Sequence, residues 1–197
     1  MLRIAFMASN NGSSMRAIVR AIGEGRIAAE PCLIVTNRRS ARALAFAAEH
    51  NIASRCIPTE GVEEAADAEL LQALADADAD LVVLSGYLRK LGPRTLAAYS
   101  GRVLNVHPAL LPRHGGKGMY GRKVHEAVLA AGDTETGATI HIVDAEYDRG
   151  RVLAQRRFPV EPGDTVETIE RNVMRTEEAL FVETVSRIAK GELTLSS

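Results

Sequence analysis

Asn105 and His107 stand two residues apart in Asn105-Val106-His107-Pro108, and Tyr147-Asp148-Arg149-Gly150 follows further along the chain. Residues two apart on a strand share a face, so the amide and the imidazole project side by side. Pro108 biases His107 towards an extended conformation and cannot donate to a sheet ladder, so the strand is expected to end there. An amide donor and an imidazole delivered together at a strand end suit acid–base chemistry with a stabilised oxyanion. Asp148 could supply the carboxylate that orients or charges the imidazole. Asp144 is a second candidate, and spacing alone does not choose between them. Taken singly, each residue has a plainer use as a turn former or a satisfied polar group. It is the combination that points to chemistry.

Two other segments could hold ligands. In Ser9-Asn10-Asn11-Gly12-Ser13-Ser14, Gly12 permits close backbone approach. The amides that follow it open a helix, where free N–H groups and the dipole attract an anion. The loop is neither a P-loop nor GxGxxG; it suits one phosphate, and an ordinary helix cap would look much the same. Ser85-Gly86-Tyr87-Leu88-Arg89-Lys90-Leu91 offers mixed apolar and backbone character for a flat heterocycle. Its plainer reading is a strand-to-helix turn with Arg89 and Lys90 exposed.

These segments need a scaffold, and the hydrophobic pattern supplies one. Strands are expected at Leu2 to Met7, Cys32 to Thr36, Ser54 to Pro58, Leu81 to Leu84 and Arg102 to His107. Helical patterns separate them: about Ser14 to Ile22, Ser40 to His50, Glu63 to Ala75, and a helix with Pro93 near its start. Strands spaced by helices of this length imply right-handed βαβ units and a doubly wound, mostly parallel sheet. After a long loop, Ala138 to Val143 and Val152 to Val160 read as an antiparallel pair, followed by a closing helix from about Thr165 to Lys190. No linker, repeat or low-complexity stretch divides the pattern, so residues 1–197 are expected to form a single domain. In such sheets ligands bind beyond the carboxyl ends of the strands, where all three segments lie.

The 24 basic and 25 acidic residues leave a net charge of −1, with no basic excess to favour nucleic acid and no basic amphipathic helix to favour a membrane surface. Cys32 and Cys56 have neither CxxC spacing nor a histidine cluster, so neither metal nor disulfide is expected. No apolar run approaches the ~18 residues of a membrane span. The expected address is cytoplasmic.

Asn105-Val106-His107-Pro108-Ala109-Leu110-Leu111-Pro112 resembles the Asn-x-His-Pro-x-Leu-Leu-Pro element of folate-dependent formyltransferases. With Asn11-Gly12-Ser13, Ser85 to Arg89, Thr136-Gly137-Ala138-Thr139-Ile140-His141 and Asp148-Arg149-Gly150, the likeness extends over nearly the whole chain. It narrows to the phosphoribosylglycinamide formyltransferase family, with a Rossmann-like formyltransferase fold.

That resemblance implies formyl transfer from 10-formyltetrahydrofolate, as co-substrate and without a metal, to the amine of glycinamide ribonucleotide in purine biosynthesis. It assigns Asn105 to the developing oxyanion, His107 to proton donation, and Asp148 to raising the His107 pKa and helping to move the proton. Gly12, Ser13 and Ser14 would take the substrate phosphate, and Glu177 the ribose hydroxyls, with Met174 one turn before it. The folate ring would lie against Leu88, Arg89, Lys90 and Leu91 and the segment from Asp144 to Asp148, beside Asn105. The small-molecule partners would be served by a monomer or homodimer.

Several residues depart from the family pattern. Gly115 to Gly121 is longer and richer in glycine, which fits either a lid over the site or a surface insertion. Ser14 stands where Asn is frequent, and Met174 where a polar residue often helps bind the ribonucleotide. Around Glu63 only acids are available, which leaves Arg89 or Lys90 to meet the folate glutamate tail. Among relatives with the same catalytic element, methionyl-tRNA formyltransferases carry a further C-terminal domain and a basic surface. Formyltetrahydrofolate hydrolases carry an N-terminal regulatory domain, whereas the sheet pattern here begins at Leu2. Amino-sugar formyltransferases are usually longer and lack the phosphate loop. A non-catalytic folate- or nucleotide-sensing module would not need Asn105, His107 and Asp148 together.

Overall fold

A computed structural model describes residues 1–195 of the chain. Five parallel strands, β1 (Leu2–Met7), β2 (Ala29–Thr36), β3 (Ser54–Cys56), β4 (Leu81–Leu84) and β5 (Val103–His107), continue into two antiparallel ones, β6 (Glu135–Ile142) and β7 (Val152–Pro159). The spatial order is β3-β2-β1-β4-β5-β6-β7. The order reverses between β1 and β4, so the loops leaving these two strands diverge and open a crevice at the carboxyl edge. The Asn105 segment closes the next strand along that edge.

Alternation along β1 separates two cores. Ile4 and Phe6 pack with α1 (Ser13–Gly23), α2 (Arg42–Glu49) and α6 (Val166–Ala189) through Met15, Ile18, Phe46, Leu180 and Phe181. Ala5 and Met7 face the other way, towards Leu70 and Leu74 of α3 (Glu63–Asp76) and Tyr99 just beyond α4 (Pro93–Ala98). Leu81 to Leu84 are all buried, as the continuous apolar run of a strand covered on both faces requires.

Two elements differ from the sequence expectation. β2 begins at Ala29 rather than Cys32, because Pro31 lies within it opposite Ile4. Pro31 cannot donate to the ladder, and the β1–β2 register shifts immediately afterwards, between Ile4 and Ala5. The long loop before β6 also contains a helix, α5 (Arg122–Ala130). Its buried Val128 meets Ile169 and Val173 of α6 in a third, smaller cluster. Helix α5 ends in a Schellman motif: Gly132, at φ 66, donates its N–H to Leu129 O at 3.0 Å, and Asp133 donates to Val128 O at 3.2 Å.

Candidate active site

Gly12 is the N-cap of α1 and lies in the left-handed region at φ 66. A Cβ there would also stand 3.0 Å from Met15 Cε and 3.1 Å from Ala8 Cβ, so conformation and space both favour glycine. Met15 N–H is taken by Ser85 Oγ at 3.0 Å, while the amides of Ser13 and Ser14 have no intrahelical acceptor by helix geometry. Ser14 is buried and Ser13 half-buried, so Ser13 carries the more accessible hydroxyl. The loop is joined to its neighbours by Ser9: Ser9 Oγ donates to Asn37 Oδ1 at 2.7 Å and accepts from Leu88 N–H at 2.8 Å, and Ser9 N–H donates to Gly86 O at 3.2 Å.

The segment after β4 presents different faces along its length. Leu88 is 56% exposed, Arg89 pairs with Glu60 at 3.5 Å, and the Lys90 ammonium lies 5.7 Å from the Tyr147 ring centroid. Leu91 turns into the core, so beside a ligand it offers only backbone. Asp67 of α3 fixes the end of the segment by accepting from Arg94 N–H at 2.9 Å and Thr95 N–H at 3.1 Å. Asp144 is exposed, and its carboxylate accepts from Glu146 N–H at 2.8 Å in an Asx turn.

Asn105, His107 and Asp148 come together, and His141 completes the group. Asn105 pairs with His141 across the β5–β6 ladder. His141 Nδ1–H donates to Ile142 O at 2.9 Å; in the neutral ring Nε2 then accepts from Asn105 Nδ2–H at 3.2 Å, and in the protonated ring it presents Nε2–H to Asp148. One Asn105 amide hydrogen is thereby used, and the second remains for another acceptor. His107 is 3% exposed; its Nε2–H donates to the backbone carbonyl of His114 at 2.8 Å, and Nδ1 lies 3.4 Å from Asp148 Oδ2. Asp148 Oδ1 lies 3.5 Å from His141 Nε2, and Oδ2 accepts the Gly116 N–H at 2.9 Å. Asp148 itself adopts φ 56, a conformation that Asp tolerates better than most residues.

Burial pushes the His107 imidazole below its ordinary pKa. The nearby Asp148 carboxylate and the His114 carbonyl oppose this shift without overcoming it. Asp148 therefore raises the His107 value as expected, and the net shift is downward because desolvation is larger. For Asp148, burial acts upward, but His141, His107 and the Gly116 N–H outweigh it and hold the carboxyl below its usual range. The resting pair at neutral pH is a neutral imidazole beside a carboxylate.

Met174 is exposed on α6, and Glu177, one turn on, is half-buried. Desolvation and neighbouring Glu178 push the Glu177 carboxyl up to about 8. Helix α6 packs along α1, the helix that starts at the Gly12 loop. Sequence reasoning did not find the roles of His114 and Gly116, because these act through a carbonyl and an amide that every residue type carries. Gly115 to Gly121 is accordingly more than a surface insertion. Its Gly116 amide holds Asp148, and a Cβ at Gly115 would stand 2.5 Å from Leu111 Cδ2.

The formyl transferase family model matches residues 2–185. The Escherichia coli phosphoribosylglycinamide formyltransferase is 33% identical over 98% of this chain and 90% of its own length. This chain belongs to the phosphoribosylglycinamide formyltransferase family. The chloroplastic phosphoribosylglycinamide formyltransferase of Arabidopsis thaliana is 37% identical over 97% of this formyltransferase chain, which spans 66% of that relative's length. The crystal structure of glycinamide ribonucleotide transformylase 1 from Symbiobacterium toebii superimposes with a TM-score of 0.91 at 31% identity, covering 100% of this chain and 92% of the other. The doubly wound sheet with its antiparallel extension is thus the formyltransferase fold. Among the described residues no helix is long and apolar enough to cross a membrane.

Proposed function

We propose that this formyltransferase chain, read as a single domain, moves the formyl group of 10-formyltetrahydrofolate to the primary amine of glycinamide ribonucleotide. The observation that carries the reading is the close group of Asn105, His107, His141 and Asp148 at the end of β5, with Asp148 within 3.5 Å of both imidazoles. The same fold carries a helix N-terminus without a side-chain cap and a loop with an exposed apolar side chain. The amine nitrogen attacks the formyl carbon, and the carbonyl oxygen becomes an oxyanion that the second Asn105 N–H meets. One oxyanion donor is typically worth ~10²–10³ in rate. Because resting His107 is neutral, it first takes the proton leaving the amine. The imidazolium then formed is supported by the Asp148 carboxylate on one side and the His114 carbonyl on the other. As the bond from the formyl carbon to folate N10 breaks, the proton passes to that nitrogen. His107 thus acts as base and then as acid, and Asp148 stabilises the charged state between.

Gly12, Ser13 and Ser14 are assigned to the substrate phosphate, and Glu177 with Met174 to the ribose side. Leu88, Arg89, Lys90, the Leu91 backbone, Asp144, Asp148 and Asn105 are assigned to the folate. A cytoplasmic monomer or homodimer with no nucleic-acid partner completes the proposal. The test is to follow absorbance loss of 10-formyltetrahydrofolate with and without glycinamide ribonucleotide. Loss that requires the ribonucleotide supports the transferase. Equal loss without it would make the chain a hydrolase, and no loss in either case would remove the assignment.

A further inference from the structure

His107 can work as described only if the correct ring nitrogen faces Asp148, and the structure holds it that way through residues remote from the chemistry. The His114 carbonyl that receives Nε2–H belongs to a residue in the left-handed region at φ 53, a conformation uncommon outside glycine, Asn, Asp and His. The preceding turn is anchored independently. Leu111 N–H donates to Thr139 Oγ1 at 3.0 Å, and Gln155 Nε2 donates to Leu111 O at 2.9 Å. Beyond that turn, His114 has one side-chain anchor: its Nε2 lies 2.7 Å from Asp133 Oδ2. Asp133 is itself rigid. Its side chain is 5% exposed, it pairs with Arg113, and its backbone is fixed by the Schellman motif closing α5. A cavity of about 160 Å³ lined by His114, Asp133, Thr136 and Gln155 adjoins the contact, so the anchoring is not imposed by close packing all round.

We propose that Asp133, acting through His114, is a positioning residue for His107, fixing the tautomer in which Nε2 carries the proton and Nδ1 is presented to Asp148. The inference rests on the role given to His107 above and adds the residues that set its orientation. The same turn carries the Gly116 amide that holds Asp148, so one anchor aligns both partners of the proton relay. A change at Asp133 therefore acts on the rate of proton transfer and leaves both substrates' contacts in place.

The experiment combines ring ¹⁵N NMR of His107 in the free protein with steady-state kinetics of Asp133→Asn and His114→Gly. Glycine accepts φ 53 without strain and so removes the anchor while sparing the backbone. At a pH where His107 is neutral, the wild type should show one tautomer with Nε2 protonated, and both variants a mixture. Both should lose kcat by about 10- to 100-fold, in line with misplacement of a catalytic group, with either KM changed less than about twofold. Acetate, which the adjoining cavity can admit, should restore part of the kcat of Asp133→Ala. Variants that keep the single tautomer, or keep wild-type kcat, would overturn the proposal. A fall in kcat matched by higher KM values and no tautomer change would do the same. The NMR readout needs no turnover, so it separates failure of this inference from failure of the assigned activity.

Discussion

At the scale of single residues, the site is governed by a contest between burial and charge. His107 sits below its ordinary pKa because it is desolvated, and Asp148 is the main influence pulling it back up. Removing that carboxylate must lower the value further. Asp148→Asn is expected to move the acid limb of the kcat/KM–pH profile to lower pH and to reduce kcat by ~10²–10⁴, since the imidazolium loses its counter-charge. Asn accepts φ 56 about as readily as Asp, so the backbone survives the change, and an unmoved acid limb would contradict the role. Glu177 makes the opposite case. With its carboxyl raised to about 8, it is mostly protonated at neutral pH, and Gln is its near-isostere. Glu177→Gln should leave the ribonucleotide KM within about twofold, whereas Glu177→Ala should raise it roughly 10-fold, the value of one to two hydrogen bonds. Kinetics with varied ribonucleotide at fixed folate make the comparison. Asn105, His107 and Asp148 were legible in the sequence because their side chains are chemically distinctive and their spacing implies a shared strand end. His114 and Gly116 were not, since their backbone groups leave no mark in residue type.

At the scale of elements, what matters is how loops without regular structure are held. The segment from Ser85 to Leu91 hangs between a strand and a short helix whose first amides are capped by Asp67 from α3. Thr95 Oγ1 also donates to Asp67, at 2.5 Å. Asp67→Ala strands these donors, costs about 1–2 kcal/mol by loss of the cap, and loosens the loop's far end. The folate KM is expected to rise while the ribonucleotide KM stays unchanged; the reverse pattern in parallel titrations would displace this loop from the folate side. Most elements were readable from periodicity, and the exceptions have physical causes. Pro31 disguised the first half of β2, because a proline in a paired strand survives only beside an irregular register. Helix α5 hid behind a glycine-rich run, its short length leaving too few turns for the buried Val124 and Val128 to stand out as a period.

At the scale of the molecule, one sheet carries the loops proposed for both substrates, and one half-buried acid links stability to pH. Glu177 has a folded value of about 8 against an ordinary 4.5, so the folded protein binds this proton more tightly than the unfolded chain does. Its stabilising contribution is complete below 4.5 and lost as pH rises through 8. Thermal melts should show Tm falling across that window, and Glu177→Gln should flatten the fall; parallel curves for the two proteins would exclude Glu177 as its source. The order β3-β2-β1-β4-β5 was foreseen only as a doubly wound class, because strand order depends on which crossovers fold to which side, and local pattern does not encode that.

The crevice between β1 and β4 is bridged by Ser9, whose hydroxyl accepts the Leu88 amide from the loop proposed for the folate while its own residue leads into the Gly12 loop proposed for the phosphate. A ligand that orders either loop thereby spares the other part of its entropic cost, so the two substrates should bind with positive thermodynamic coupling. Ser9→Ala breaks the bridge and should bring the ratio of folate-analogue Kd values, measured by calorimetry with and without ribonucleotide, towards one. By reciprocity the ribonucleotide must lose the same factor, so a single hydroxyl would set how far each substrate waits for the other.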